Sequence, residues 1–347
     1  MSTPLLRGAH LRQRQNPNPR GSLRRSRLFK QLRVWAGWIS LGVAGAAQST
    51  PFGFVALGDM PYAPALISYP SYERLISRIN AQTPVFSVHV GDFKSGNTLC
   101  SDEAFLEQLG FFGRFEGALV YTPGDNDWTD CHRVLAGRFD PRERLTRLRG
   151  LFFPGPRSLG QTPIALERQA DQVPQFSKFV ENARFSHQNV LFLTVHIVGS
   201  NNGLDEGGPA ALAEFSGRDE AAVDWLKDGF AKADQERAKA MVIFFHADPV
   251  NRKKAPFDPE FKSGYARVIG RTLVPLAAGR NRPVLVVHGD SHEFKVDRPF
   301  QNAANQQLAN MTRLVVPGGF DIRAVEVRVD PESAAVFSFN LIDNAVR

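Results

Sequence analysis

Four times in this chain an apolar, strand-like run closes on Gly-Asp. Phe54-Val55-Ala56-Leu57 precedes Gly58-Asp59, residues 85–90 precede Gly91-Asp92, residues 118–123 precede Gly124-Asp125, and residues 284–288 precede Gly289-Asp290. In an open α/β sheet the carboxyl ends of the strands share one rim, and ligands bind in the crevice outside it. A glycine before each Asp permits a tight turn and close backbone approach at such a corner. Histidines join late in the chain, as Phe244-Phe245-His246 and His288-Gly289-Asp290-Ser291-His292. A single Asp after a strand is usually a turn or cap residue, so the ordered set, not any one member, carries the reading. Carboxylate oxygens and imidazoles gathered on one rim are a ligand set for metal ions. Two such ions about 3.5–4 Å apart can clamp the attacking and leaving oxygens of a phosphoryl group, with a shared carboxylate between them. Asp92 is the natural shared ligand.

The elements that must position these residues follow a βαβ rhythm. Strands are expected at 52–57, 84–90 and 118–122. Helical spacing follows at 71–79, a Ser101 N-cap with acids in the first turn opens a second helix, and a basic amphipathic stretch spans 142–151. Asp59, Asp92 and Asp125 are spaced 33 residues apart, which reads as successive crossover units because the intervening sequences differ. Residues 152–188, rich in Pro, Gln and Ser, are expected to be irregular. A strand over 190–198 ends in the polar corner Gly199-Ser200-Asn201-Asn202-Gly203. Helix 218–238, strand 240–245, helix 265–278 and strand 283–288 come next. The tail segments 313–316, 322–329 and 334–341 read as antiparallel β, with clean alternation in Arg323 to Val329. The sum is a mixed α/β sandwich.

The net charge of +7 is unevenly placed. Residues 1–33 hold nine Lys or Arg and no acid, and without them the chain has 33 basic against 35 acidic residues, about −2. The folded part is therefore not basic, and no nucleic-acid partner is expected. The basic stretch leads into an apolar segment, Val34 to Ala46, that ends in small residues. This pattern reads as a secretory signal over 1–46, cleaved after Ala44-Gly45-Ala46, ahead of a single domain over 47–347. The segment is short for a membrane-spanning helix of about 20 residues, although an uncleaved anchor stays open as the one route to a membrane. The expected location is secreted or periplasmic. Cys100 and Cys131 follow the second and third corners, and an oxidising compartment favours a disulfide between them.

The ordered motifs resemble the calcineurin-like metallophosphoesterase superfamily, whose series is Asp-x-His, Gly-Asp-x-x, Gly-Asn-His-Asp/Glu, a lone His and Gly-His-x-His. Here the series stands as Gly58-Asp59-Met60-Pro61-Tyr62, Gly91-Asp92-Phe93-Lys94-Ser95, Gly124-Asp125-Asn126-Asp127, Phe245-His246-Ala247-Asp248-Pro249 and Gly289-Asp290-Ser291-His292. The resemblance implies a β-sandwich flanked by helices, with the metal site at strand carboxyl ends. It makes Asp59 and His292 ligands of one metal, Asp92 the bridge, and Asp125, His246 and Asp290 ligands of the other. It implies hydrolysis of a phosphate ester by metal-activated water, with Asn126, Lys94 and His132 as candidates to neutralise phosphate oxygens or assist the leaving group. The bland readings are a solvated Lys94 and a loop-packing His132. Asp127 is expected to orient a histidine from behind.

Departures from the series share a direction. Pro61 replaces a ligand His, Asp125 a ligand Asn, Asn126 a leaving-group His and Asp290 a ligand His; His288 could compensate for the last and Tyr62 for the first. Oxygen-rich donors favour Mn or iron, with Zn and Mg open, in one or two ions. Two rival readings remain open: a degenerate member that binds metal or phosphate without turnover, and a metal-free exported binding domain. His89, His187 and His196 read as structural.

Overall fold

The computed structural model describes residues 49–62, 64–250 and 264–344. The expected signal segment lies outside the described residues.

Among the described residues the strands are β1 (Phe52–Leu57), β2 (Ser87–His89), β3 (Ala118–Tyr121), β4 (Leu159–Gly160), β5 (Glu167–Arg168), β6 (Ala183–His187) and β7 (Val190–Thr194). They continue as β8 (Ala240–Phe244), β9 (Val284–His288), β10 (Lys295–Asp297), β11 (Met311–Val315), β12 (Ala324–Val329) and β13 (Phe337–Ile342). One sheet runs β13-β12-β1-β2-β3-β4 and the other β10-β11-β9-β8-β7-β6-β5. β1, β2 and β3 are mutually parallel, as are β7, β8, β9 and β11. Their carboxyl ends therefore form the expected rim.

The main helices are α1 (Ala65–Ala81), α2 (Asp102–Phe112), α3 (Pro141–Phe152), α4 (Gly208–Gln235) and α5 (Val274–Ala278), the last preceded by a π-helical run, Ala266–Leu273. Strand alternation decides the layering. Phe54, Ala56, Val88 and Val120 of the first sheet meet Phe192, Val242, Phe244 and Val287 of the second in a shared interior. Val55, Leu57 and Leu119 point the other way, onto Tyr72 and Ile76 of α1, Phe105 of α2 and Phe152 of α3. Leu191, Leu193 and Ile243 cover Trp225, Leu226 and Phe230 of α4. The result is a β-sandwich with helices on both outer faces. Because the central strands are buried on two faces, they read as unbroken apolar runs rather than alternating ones. Each fully buried Phe, Leu or Val side chain contributes about 1.5–3 kcal/mol. Ser101 caps α2 as expected, its side chain accepting from the Ala104 N–H at 3.3 Å.

The architecture departs from the sequence reading in three places. β11 is not part of an antiparallel tail: it pairs parallel with β9, Met311 opposite Val284, and is buried along most of its length like a central strand. β12 and β13 are antiparallel as expected, and β12 lies against β1. The stretch 152–188 is not wholly irregular, because β4, β5 and β6 lie within it and β6 extends the second sheet from β7. Finally, α1 begins at Ala65 and passes through Pro70, while α4 begins ten residues before the expected start.

Candidate metal centre

Four corners converge as the repeat suggested, but the division of labour within each Gly-Asp pair differs from expectation. Asp59, Asp92 and Asp290 themselves adopt left-handed backbone, with φ of 55°, 57° and 69°, and His292 does so at 62°. Asp tolerates this region better than most residues, and such strain clusters at functional sites. Of the four preceding glycines only Gly91 has positive φ, 99°. The others are needed for space. A Cβ on Gly124 would collide with the Asp92 carboxylate, one on Gly289 with the Asp59 carboxylate, and one on Gly58 would lie 2.7 Å from Val90 Cγ2. Gly199, in the polar corner after β7, belongs to the same cradle, since its Cβ would sit 2.6 Å from Asp125 Oδ2 and 2.8 Å from Asp290 Oδ1.

Two groups of donor atoms result. Asp59, Asp92 and His246 each offer an atom within 4.8 Å of the others, and Asp125, His246 and Asp290 do likewise. His246 is fully buried. Its Nδ1 lies 2.9 Å from the Val90 carbonyl oxygen and so carries a proton, which aims Nε2 at Asp125 Oδ1 (3.1 Å) and Asp92 Oδ1 (3.4 Å). A ring fixed in this way by a backbone acceptor is typical of metal-bound histidine. His246 thus stands between the two groups, and not on the Asp125 side alone. His292 Nε2 lies 3.3 Å from Asp59 Oδ1, and the Asp290 N–H donates to the same carboxylate at 3.1 and 3.2 Å.

The electrostatics describe a cluster short of positive charge. Burial, and then Asp125, raises Asp92 well above the carboxylate range even against the pull of His246. Asp290 is pushed up to about 7 by burial and by Asp125. Burial alone would raise Asp125 too, but the His246 hydrogen bond and charge, with help from Ser200, bring it to about 2. His246 is desolvated, yet the surrounding carboxylates, Asp92 foremost, hold it well above its ordinary value. The donor set and the side-chain-free cradle around it fit a hard cation.

The remaining candidates separate clearly. Asn126 lies in the cluster: its N–H donates to Asp92 Oδ1 at 2.9 Å and its Nδ2 to Asp92 Oδ2 at 2.5 Å. Tyr62 donates to the same Oδ2 at 2.5 Å and packs edge-on to His292, 5.1 Å between centroids. Lys94 is buried, neither solvated nor turned to the carboxylates, with Nζ bonded to the Ser95 and Thr98 carbonyls at 3.4 and 3.2 Å. His132 is exposed, its Nδ1 2.7 Å from the Thr129 carbonyl oxygen. His288 does not approach the carboxylate groups. It stacks flat on Phe245, its Nε2 has no hydrogen-bond partner among the described residues and lies 4.0 Å from Asp248 Oδ1, and burial lowers it to about 4.

Asp127 corrects an expectation. It touches no histidine; its carboxylate accepts from the N–H groups of Asp92 (2.9 Å), Phe93 (2.9 Å) and Gly124 (2.8 Å) and from the Tyr121 hydroxyl (2.8 Å). It therefore clamps the second corner to the third. Cys100 and Cys131 form the expected disulfide across the same two loops. His89 and His196 are fully buried. Ser200 was missed: its hydroxyl lies 2.7 Å from Asp125 Oδ2 and 3.0 Å from Asp130 Oδ1. The Gly-Ser-Asn-Asn-Gly run after a strand was the available signal.

No protein-family model matches the chain, and no curated protein matches it. Among solved structures it is similar to a purple acid phosphatase from yellow lupin, at 14% identity and TM-score 0.47, covering 85% of this chain and 54% of that one. It is also similar to a 5'-nucleotidase from Candida albicans, at 8% identity and TM-score 0.41, covering 86% and 53%. A 5'-nucleotidase precursor from Thermus thermophilus matches at 13% identity and TM-score 0.42, covering 85% and 54%. This chain spans about half the length of each neighbour.

Proposed function

We propose that the protein is an exported, metal-dependent phosphoesterase. The observation that carries this reading is the pair of donor groups, Asp59/Asp92/His246 and Asp125/His246/Asp290, each drawn within 4.8 Å. Asp59 and His292 would hold one ion, Asp125, His246 and Asp290 a second, and Asp92 would be shared. Mn or iron suits so oxygen-rich a set. Bound ions would polarise a phosphoryl oxygen and lower the pKa of water toward 7. The chain's own part is to place and dry the site. Asp127 and Gly124 keep the Asp92 and Asp125 corners together, Asn126 and Tyr62 hold the Asp92 carboxylate and offer donors beside it, and Asp59 and His246 are fully buried. Residues 1–46 are read as the export signal, and the Cys100–Cys131 disulfide is compatible with an oxidising compartment. No helix among the described residues is long and apolar enough to cross a membrane.

One observation favours the degenerate reading. Asn126, whose amide cannot transfer a proton, stands where the resembled series keeps a histidine for the leaving group. The two readings part in an assay. Protein stripped with a chelator and reloaded with Mn²⁺ or Fe²⁺ should hydrolyse an aryl phosphate, and Asp92→Asn should cut the rate by about a thousandfold or more, since Lewis-acid stabilisation is worth several kcal/mol. Metal-loaded protein inert on both mono- and diesters would leave the binding role in its place.

A further inference from the structure

Arg133 was not among the sequence candidates, yet it sits where Lys94 and His132 were expected to act. It leaves the short helical turn Thr129–His132 that follows the Asp125 corner. Its guanidinium is held from one side by Asp130, Nη2 to Oδ2 at 2.7 Å, and the same nitrogen reaches Ser200 Oγ at 3.4 Å. Its other terminal nitrogen lies over Gly96. A Cβ there would be 2.9 Å from Arg133 Nη1 and 2.6 Å from Asn126 Oδ1, so the two side chains share one spot that only a glycine leaves open. Ser200 bonds Asp125 and Asn126 bonds Asp92. The guanidinium therefore spans the outer edge of both carboxylate groups. Nη1 has no hydrogen-bond partner among the described residues, and the side chain is 46% exposed.

Resting on the phosphoesterase reading, we infer that Arg133 binds the non-bridging oxygens of the substrate phosphoryl group and selects phosphate monoesters over diesters. A monoester carries about −1.5 to −2 charge and three acceptor oxygens, whereas a diester carries a single charge and two such oxygens. A permanently charged guanidinium donating from Nη1 rewards the former, because a charge-assisted hydrogen bond strengthens with the charge of its acceptor. Asp130 draws the guanidinium in as an ion pair on the Nη2 side, where Oδ2 makes no aligned hydrogen bond, and Nη1 is left to the ligand. Bound ions offset the carboxylate floor, and Arg133 adds a directed positive charge at its outer edge.

The test uses non-hydrolysable probes on Mn²⁺-loaded protein: phenylphosphonate, a dianion, and its monomethyl ester, a monoanion, both by calorimetry. Wild type should bind the dianion about tenfold or more tightly than the ester. Arg133→Ala should weaken the dianion about 10- to 100-fold and the ester by less than about threefold, the size of one charge-assisted contact. Arg133→Lys, which keeps the charge but loses the guanidinium, should fall between. Metal content should stay unchanged in both variants. Equal affinities in wild type, or a preference that survives in Arg133→Ala, would overturn the assignment. Absence of ester hydrolysis in wild type would instead count against the phosphoesterase reading, and leaves the binding result to stand or fall by itself.

Discussion

The two sides of the carboxylate cluster are built to different standards. On one side, Asp125 is fixed by His246 at 3.1 Å and Ser200 at 2.7 Å, and His246 is itself pinned to a backbone carbonyl. Behind it runs a buried chain. Trp128 Nε1–H donates to His196 Nε2 at 3.1 Å, His196 Nδ1–H donates to Glu181 at 2.7 Å, and Glu181 pairs with Arg149. On the other side, Asp59 is buried but His292 is 39% exposed and is steadied by Asp59 at 3.3 Å and the edge of Tyr62. In the resembled motif series Pro61 stands where a further ligand is expected. A ligand already held in its binding geometry loses little freedom when a cation arrives, and an exposed one loses more. The asymmetry therefore predicts unequal affinity, with the tighter ion on the Asp125 side.

The comparison breaks most visibly at His246, the side chain common to both donor groups. His246→Ala should lower kcat by about a thousandfold or more, and assay at saturating substrate checks this. Next is Glu181→Gln, which should leave the chemistry in place but cost about 3 kcal/mol of stability, because it leaves Arg149 without its buried partner. Its pH signature follows from direction. Burial opposes the charge on Glu181, but Arg149 and then His196 hold its carboxyl below the usual range, so it stabilises the fold above its unfolded pKa and that contribution is lost as pH falls. His196 is kept neutral, lowered by burial, with its Nε2 already accepting from Trp128, so its protonation also costs stability as pH falls below about 6.5. Denaturant melts below about pH 5, where the unfolded Glu181 begins to take up a proton, should show wild type losing stability more steeply than Glu181→Gln; parallel curves there would remove the chain from the account. The smallest effect belongs to His292→Ala, about 10- to 100-fold in activity with the fold intact, and a loss matching that of His246→Ala would erase the asymmetry.

Much of this arrangement was legible because strand and corner carry separate signals. The apolar runs before Asp59, Asp92, Asp125 and Asp290 are central strands buried on both faces, and a carboxylate after each is unusual enough in concert to mark the rim. The disulfide followed from the same corners. What could not be read was determined at a distance. Glu181 sits in a polar stretch that looks solvated, and only the fold puts Arg149 and His196 beside it. Lys94 looked like a loop cation, yet its stem is buried and its ammonium turns to carbonyls of its own loop. Asp127 resembled a histidine's partner because sequence shows spacing but not direction, whereas its oxygens meet backbone N–H groups. β11 opens a tail of alternating strands and was assigned their direction, although it pairs parallel with β9 in the second sheet.

The most direct test is a metal-binding isotherm. Protein stripped of metal and titrated with Mn²⁺ by calorimetry, with bound ion measured independently, should show two unequal steps. The tighter step should persist in His292→Ala and vanish in His246→Ala. Two equal steps, or a tight step that survives His246→Ala, would contradict the lopsided centre, and a protein that retains no ion at all would contradict the metal site itself.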